Sequence, residues 1–133
     1  MKTCYLTIPI ALFLLSGCTS TTPITPSLQA PLIGQWKLID SSASARFENG
    51  RVSGSDGCNR YGAPYTSGEN TLAISDKMMS TMMMCPPETM KNAQQFREAL
   101  LRASRYRNDG KTLTLMEASG NPLLEFVPDT ATP

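Results

Sequence analysis

The clearest structural signal in the chain is the stretch Arg46-Phe47-Glu48-Asn49-Gly50-Arg51-Val52-Ser53. Asn-Gly is the dipeptide most typical of a type I′ turn, which joins two antiparallel strands through a two-residue loop. A loop of that length fixes the register, so Glu48 lies opposite Arg51 and Phe47 lies opposite Val52. The polar pair then faces solvent and the apolar pair faces a core. The stretch therefore predicts a β-hairpin with one buried face.

Similar short apolar runs, separated by turn residues, continue on both sides of this hairpin and predict further strands. Asp109-Gly110 is a second two-residue turn signal, and a loop of that length pairs Tyr106 with Leu113. The predicted strands outside the first hairpin cover residues 36–39, 59–65, 71–74, 77–85, 105–108, 111–116 and 123–127.

The hydrophobic period changes after Cys85. Pro86 and Pro87 suit the start of a helix, because a missing backbone N–H costs nothing in the first turn. Apolar residues then recur at steps of three and four, which predicts one helix that ends near Ser104. Its predicted buried stripe consists of Met90, Ala93, Phe96, Leu100 and Leu101. Residues 32–128 are therefore expected to form one α+β domain, mainly β: a small antiparallel sheet or partly closed β-barrel packed with one α-helix.

The N-terminal part of the chain has a different composition. A basic start at Lys2 and an apolar run over 4–15 are typical of a secretory signal peptide, expected over residues 1–17. Leu15-Ser16-Gly17-Cys18 resembles the bacterial lipobox, in which the cysteine is acylated, by palmitate among other chains, and becomes the mature N-terminus. The alternative is an ordinary signal peptide that contains a cysteine.

Residues 18–31 are expected to be the lipidated cysteine and a flexible tether, since 19–31 are rich in Ser, Thr and Pro and carry no charge. Thr19 is not the Asp that commonly retains such lipoproteins in the inner membrane. We therefore expect Cys18 to anchor the chain in the bacterial outer membrane, with the domain facing the periplasm. Residues 129–133 are expected to form a frayed tail.

Charge narrows the range of partners. The chain has 12 Lys and Arg against 11 Asp and Glu, and removal of the leader with Lys2 would make the two numbers equal. A balanced chain offers no basic stripe for nucleic acid and no polybasic patch for anionic lipid. Membrane attachment is thus expected through the N-terminal lipid alone, at about 0.8 kcal/mol per buried methylene.

The chain contains no histidine, which excludes Ser-His-Asp and Cys-His catalysis and removes the usual zinc ligand. A hydrolase with two carboxylates stays as an alternative, but the acidic residues scatter over turns, a strand edge and the helix start. No enzymatic activity, cofactor or metal is therefore predicted. The acidic residues in question are Asp40, Glu48, Asp56, Glu69 and Glu88.

Methionines cluster just before Cys85. Strand side chains alternate, so Met79 and Met83 are expected to face the core with Cys85. The opposite face would carry Met78, Met82 and Met84. That face is predicted to be a patch for an apolar ligand or protein, a surface covered by another element, or a site for Cu(I), since thioethers bind soft metals.

Asn59 directly follows Cys58 at the start of a predicted strand. Its side chain has two possible roles. It can close a turn through its own hydrogen bonds, or it can point towards a ligand as part of the same patch.

Several of these residues fall into motifs. The chain resembles the META/HslJ-like family over roughly residues 33–127, although its connection 40–44 is shorter than we expect in many relatives. The resemblance implies a small β-barrel-like fold with one helix, an association with envelope stress or antibiotic tolerance, and no shared enzymatic activity. The matching motifs are Gly34-x-Trp36-x-Leu38, Phe47-x-x-Gly50-x-Val52-x-Gly54, Gly57-Cys58-Asn59-x-Tyr61 and Thr81-x-Met83-x-Cys85.

Cys58 and Cys85 both lie in these motifs, and both would remain after Cys4 leaves with the leader and Cys18 takes the lipid. In an oxidising compartment the pair is predicted to form a disulfide. Two buried thiols or a redox pair are the alternatives.

Together these features predict a non-enzymatic envelope lipoprotein that binds a protein or an apolar ligand at the membrane, in a stress- or antibiotic-tolerance role. Two alternatives are a lipoprotein that inhibits lysozyme, as other small β-barrel lipoproteins do, and a periplasmic protein that binds Cu(I) through its methionine-rich strand.

Overall fold

The structure is a computed structural model that describes residues 31–130 and Gly17. The predicted signal peptide, Cys18 and nearly all of the tether lie outside the described residues, as do residues 131–133. Within the described part, no helix has the length and apolar character needed to cross a membrane.

Nine strands and one helix build the domain. The strands are antiparallel and follow the order β5-β4-β3-β2-β1-β9-β8-β7, with the short β6 paired to β4. Their bounds are β1 Gly34–Leu38, β2 Ser44–Glu48, β3 Arg51–Ser55, β4 Arg60–Ser67, β5 Leu72–Ile74, β6 Met79–Ser80, β7 Arg105–Asn108, β8 Leu113–Met116 and β9 Pro122–Pro128, and the helix α1 spans Pro87–Arg102.

The two ends of this sheet approach each other and almost close it into a barrel. Thr71, beside β5, forms an isolated bridge with Arg105 of β7. The N–H of Leu72 also donates to the carbonyl of Ser104 at 3.1 Å. The predicted fold, a partly closed antiparallel barrel packed with one helix, is therefore confirmed.

The first predicted hairpin has the expected register, with Phe47 opposite Val52 and Glu48 opposite Arg51. Asn49 has a φ of 50° and Gly50 a φ of 73°, and a type I′ turn requires a positive φ at both positions. Phe47 and Val52, the pair that faces inward, are completely buried. Local turn chemistry and alternation thus agree with the final packing.

The second hairpin differs from the prediction. Asn108 pairs with Leu113 and Tyr106 with Leu115, so the loop has four residues and not two. The side chain of Asp109 explains the wider loop, because it accepts the backbone N–H groups of Lys111 and Thr112 at 2.8 and 2.7 Å. These two bonds also lower the pKa of Asp109. The register moves by two residues, so the same side chains still face the core.

The helix packs against the barrel along a narrow stripe. The ring of Phe96 lies 5.7 Å from that of Tyr61 and 6.2 Å from that of Phe126, centroid to centroid, in edge-to-face arrangements. Ala93, Phe96 and Leu100 are buried, whereas Met90 and Leu101 are each 39% exposed, so the predicted stripe was too wide. Leu101 lies about 100° around the helix from Leu100 and turns away from the barrel.

The chain remains tied to the sheet just beyond β9. Asp129, assigned above to a frayed tail, donates its N–H to the carbonyl of Gln35 at 2.9 Å. The ordered pairing with β1 thus extends one residue past Pro128.

Candidate functional site

The chain between β6 and α1 does not form the strand predicted over 77–85. Met79 and Ser80 form strand pairs with β4, and Thr81 still donates its N–H to the carbonyl of Arg60 at 2.9 Å, but residues 81–86 have no regular structure. Met83, in this irregular stretch, is 55% exposed, and Met79 is 73% exposed although it lies in β6; both were expected in the core, so the alternation argument fails at both positions. Met78 is the methionine that packs partly against the core.

Four methionine side chains line one shallow cavity of about 390 Å³ on this side of the molecule. Met82 is 95% exposed and Met84 is 87% exposed, and Met83 lies between them. Met90 reaches the same cavity from the first turn of α1. We call these four residues the methionine surface. Met82 and Met84 both line this cavity, whereas Met78, which was predicted to share their face, does not.

A disulfide fixes the end of the methionine segment, residues 81–85, which carries Met82, Met83 and Met84. Cys58 and Cys85 are bonded, with a Cα–Cα distance of 6.0 Å, which confirms the predicted bridge. The bridge links the loop after β3 to the residue that precedes the two prolines at the helix start. One end of the methionine segment is therefore covalently attached to the barrel.

Asn59 fixes the middle of the same segment. Its side chain is buried, and its Oδ1 accepts hydrogen bonds from the hydroxyl of Thr81 at 2.9 Å and from the N–H of Met83 at 2.6 Å. Asn59 therefore holds the neighbouring segment and does not close its own turn. These two bonds also explain why the segment leaves the sheet, since the N–H of Met83 is directed to a side chain and not to a strand.

The turn before Asn59 is closed by Asp56. Its Oδ1 accepts the N–H groups of Cys58 and Asn59 at 2.9 and 2.6 Å, and its Oδ2 pairs with the guanidinium of Arg97 at 2.6 Å. The Asp56 side chain is completely buried, while that of Arg97 is 29% exposed. Asp56 thus joins the loop after β3 to α1 through Arg97, which also lines the cavity of the methionine surface.

Sequence analysis missed this ion pair. Asp56 was counted among scattered acidic residues, and Arg97 lies 41 residues away with no spacing that suggests a partner. The Asx-type turn was the only local signal, because Asp is one of the residues that close such turns with their side chains.

Tyr61 lies close to this ion pair and its hydroxyl donates to the carbonyl of Ser44 at 2.8 Å. Burial, and to a lesser extent the carboxylate of Asp56, raises the pKa of the Tyr61 phenol above its ordinary value. The phenol therefore stays neutral at physiological pH and is not poised to act as a base.

A second cleft, of about 560 Å³, opens on another side of Asp56. Polar side chains from α1 and from the short connection after β1 surround an apolar floor that includes Phe96 and Leu38. Asp40, in this connection, makes no ion pair with any described residue, and Asp56 is already held by Arg97. The lining suits hydrogen bonding to a small polar molecule, but it does not present two carboxylates free for acid–base work.

Across residues 31–130 no three His, Cys, Asp or Glu side chains come together as potential metal ligands. Any metal held by this part of the chain would therefore need other donors, such as thioethers.

Several solved structures share the fold. A protein from Burkholderia xenovorans solved by NMR is similar at a TM-score of 0.56 and 20% identity, over 74% of this chain and 79% of that one. Another NMR structure gives a TM-score of 0.55 at 20% identity, over 71% and 88% of the two chains. A crystal structure of a DUF4847 family protein from Bacteroides vulgatus ATCC 8482 gives 0.50 at 23% identity, over 68% and 61%. At these identities the likeness concerns the fold alone.

No curated protein sequence matches the chain. The family model of the META domain, however, matches residues 30–130, which includes all nine strands and the helix. The motifs around the disulfide, Gly57-Cys58-Asn59 and Thr81-x-Met83-x-Cys85, lie within that match. The chain therefore belongs to the META domain family.

Proposed function

We propose that this chain is a non-enzymatic lipoprotein of the bacterial envelope whose META domain binds an apolar segment of a partner protein. In this proposal Cys18 anchors the chain in the outer membrane, the domain faces the periplasm, and the role is in stress or antibiotic tolerance. The observation that carries the binding role is the methionine surface: Met82, Met83 and Met84 expose 95%, 55% and 87% of their area on a segment with a fixed backbone.

The energetics of burial support a binding role. A large apolar side chain moved from water into an interface gains roughly 1.5–3 kcal/mol. Met82 and Met84 are almost fully exposed in the free domain, so nearly all of that gain is available to a partner. Contiguous exposed apolar groups with a polar rim are typical of interaction sites.

Methionine also suits such a surface chemically. Its side chain is unbranched and polarisable, so it adapts to partners of different shape. The backbone that carries it does not have to be ordered on binding, because the disulfide and the side chain of Asn59 already fix it. Binding would then lose side-chain entropy but little backbone entropy.

The non-enzymatic part of the proposal rests on the chemistry of the site. The whole chain contains no histidine. Asp56 is engaged by Arg97 and by two backbone N–H groups, and the pKa of Tyr61 is raised. These groups serve the fold, whereas the exposed methionines do not contribute to the core.

Photocrosslinking in intact cells tests the binding role. A photoreactive residue placed at position 83 should capture a partner, whereas one at position 111 in the β7–β8 connection should not. Capture from position 83 should be lost in Met82→Asp/Met84→Asp, which places charge on the surface, and kept in Met82→Leu/Met84→Leu, which preserves its apolar character. Equal capture in the Asp and Leu variants would contradict the proposal.

The anchor is tested separately. Cys18→Ala should give an unprocessed or soluble protein that takes up no labelled palmitate. If this variant is still cut at the same place and stays with the membrane fraction after a salt wash, Cys18 is not the lipid site.

A further inference from the structure

The methionine surface also has the donor atoms of a soft-metal site. We propose that it binds one Cu(I) ion through three of the four thioether sulfurs of Met82, Met83, Met84 and Met90. All four side chains line the same cavity of about 390 Å³. This inference does not rest on the proposed protein partner, because it concerns the sulfur atoms and not the apolar area.

The sulfurs are free to converge on one ion. The four side chains are between 39% and 95% exposed, so coordination would not pull any of them out of the core. Each side chain has three rotatable bonds, which lets a thioether move by several ångströms while its backbone stays in place. The rigid segment and the first turn of α1 hold the four Cα positions around one opening.

The donor set selects a soft monovalent ion. Thioethers favour Cu(I), whereas divalent first-row ions prefer imidazole, carboxylate or thiolate. The chain has no histidine, Cys58 and Cys85 are bonded to each other, and no described carboxylate lines this cavity. Zn(II) and Cu(II) would therefore find only weak ligands here.

Charge around the cavity does not prevent the binding of a cation. Arg97 is the charged residue in the described lining. Its guanidinium is paired with the buried carboxylate of Asp56 at 2.6 Å and contacts the hydroxyl of Ser80 at 3.3 Å. The pair is neutral as a unit, so Cu(I) meets less repulsion than a free arginine would cause.

The test is an anaerobic titration of the processed full-length protein in detergent. Ascorbate keeps the copper reduced as Cu(I), and bicinchoninate competes with the protein for the ion. Thiol reductants are left out because they bind Cu(I) and attack the disulfide. We expect one equivalent of Cu(I) to bind, no competition from Zn(II), and sulfur neighbours in the X-ray absorption spectrum of the bound copper.

Two double variants decide the assignment. Met82→Leu/Met84→Leu should lower the Cu(I) affinity by roughly tenfold or more, since it removes two of the four donors. Met78→Leu/Met116→Leu removes the same number of thioethers outside the cavity and should bind as the parent does. Melting temperatures close to that of the parent would show that both variants are folded.

The proposal is overturned if the parent forms no 1:1 complex, or if the two double variants bind Cu(I) equally well. The photocrosslinking test separates it from the protein-binding function, because leucine keeps the apolar surface but has no sulfur. A variant that still captures the partner and no longer binds Cu(I) would support both proposals independently.

Discussion

Two parts of the domain, the barrel core and the methionine segment, are held in place by different interactions. In the core, Phe47, Val52 and Phe126 are fully buried side chains on paired strands. In the segment from Thr81 to Cys85 the backbone is held by a disulfide and by the side chain of Asn59, while the methionine side chains project into solvent. The core is stabilised by its buried side chains, whereas the segment is ordered by contacts that do not involve its methionine side chains.

This difference separates stability from function. Where side chains are buried, a substitution changes the free energy of unfolding. Where only the backbone is fixed, side chains can change with little effect on the fold and remain available for binding. The predictions below test this separation, beginning with the largest expected change.

Phe47→Ala should destabilise the domain by about 4 kcal/mol, because it removes a fully buried ring and leaves a cavity. The ring also makes an edge-to-face contact with Tyr65 at a centroid distance of 5.1 Å. Urea denaturation followed by circular dichroism gives the free energy of unfolding. The neighbouring Arg46→Ala, on the exposed face, is the control and should stay within about 0.5 kcal/mol of the parent. If Phe47→Ala lowered the free energy of unfolding by less than about 1 kcal/mol, Phe47 would not be a central core residue.

Cys58→Ser/Cys85→Ser should cost about 3.5 kcal/mol, the chain-entropy value for a bridge with a sequence separation of 27. The variant should also be cut faster by protease within residues 81–86, since the segment would keep its hydrogen bonds to Asn59 and Arg60 but lose its covalent link to the barrel. Reductant should destabilise the parent to the same level and leave the variant unchanged. Equal protease resistance in both proteins would show that the bridge does not order the segment.

Asp56→Ala should cost about 3 kcal/mol, because two backbone N–H groups lose their acceptor and Arg97 loses its partner. Asp56→Asn keeps an oxygen for the turn and should cost less. Arg97→Met leaves the buried carboxylate without a counter-charge. Combining it with Asp56→Asn should recover part of that loss, which a double-mutant cycle measures. Strict additivity of the two changes would contradict the coupling.

The same contrast explains how far the sequence predicts the structure. The hairpin around Asn49-Gly50 follows from turn chemistry and alternation within eight residues, and the structure has the expected register. The predicted register of the second hairpin was wrong because the side chain of Asp109 supports a wider loop. The Asp-Gly dipeptide alone does not indicate those side-chain bonds. Local patterns therefore predict the first hairpin well, but they miss the width of the second loop and the end of the strand predicted over 77–85.

The candidate site depends on contacts between distant residues, and for that reason sequence analysis placed it only in part. Motif resemblance and the oxidising compartment predicted the disulfide. The bonds from Asn59 to Thr81 and Met83 join residues more than 20 positions apart, and they remove the segment from the sheet that alternation predicted. The exposed position of Met83 follows from those bonds, whereas Met79 is exposed although it lies in β6, paired with Gly62.

Alkaline pH should destabilise the domain through Tyr61. Its pKa is raised in the fold, mainly by burial, so the unfolded chain releases the phenol proton first as the pH rises past about 10. The stabilising contribution is complete below that pH and is lost above it. Tyr61→Phe should therefore show a weaker fall in unfolding free energy between about pH 9.5 and 11. An identical pH profile for the two proteins would contradict this assignment.

Met82→Leu/Met84→Leu should change the free energy of unfolding least, by less than about 0.5 kcal/mol, because both side chains are almost fully exposed. Met78→Ala is the matched comparison: it truncates a methionine that packs partly against the core, and it should cost more than the double leucine variant. Thermal and urea unfolding of both variants test this order. If the double leucine variant were the less stable, the exposed methionines would contribute to the fold, and a binding role would no longer be needed to explain them. If it keeps its stability, any loss of Cu(I) affinity comes from the sulfur atoms, since the fold and the apolar area are both retained.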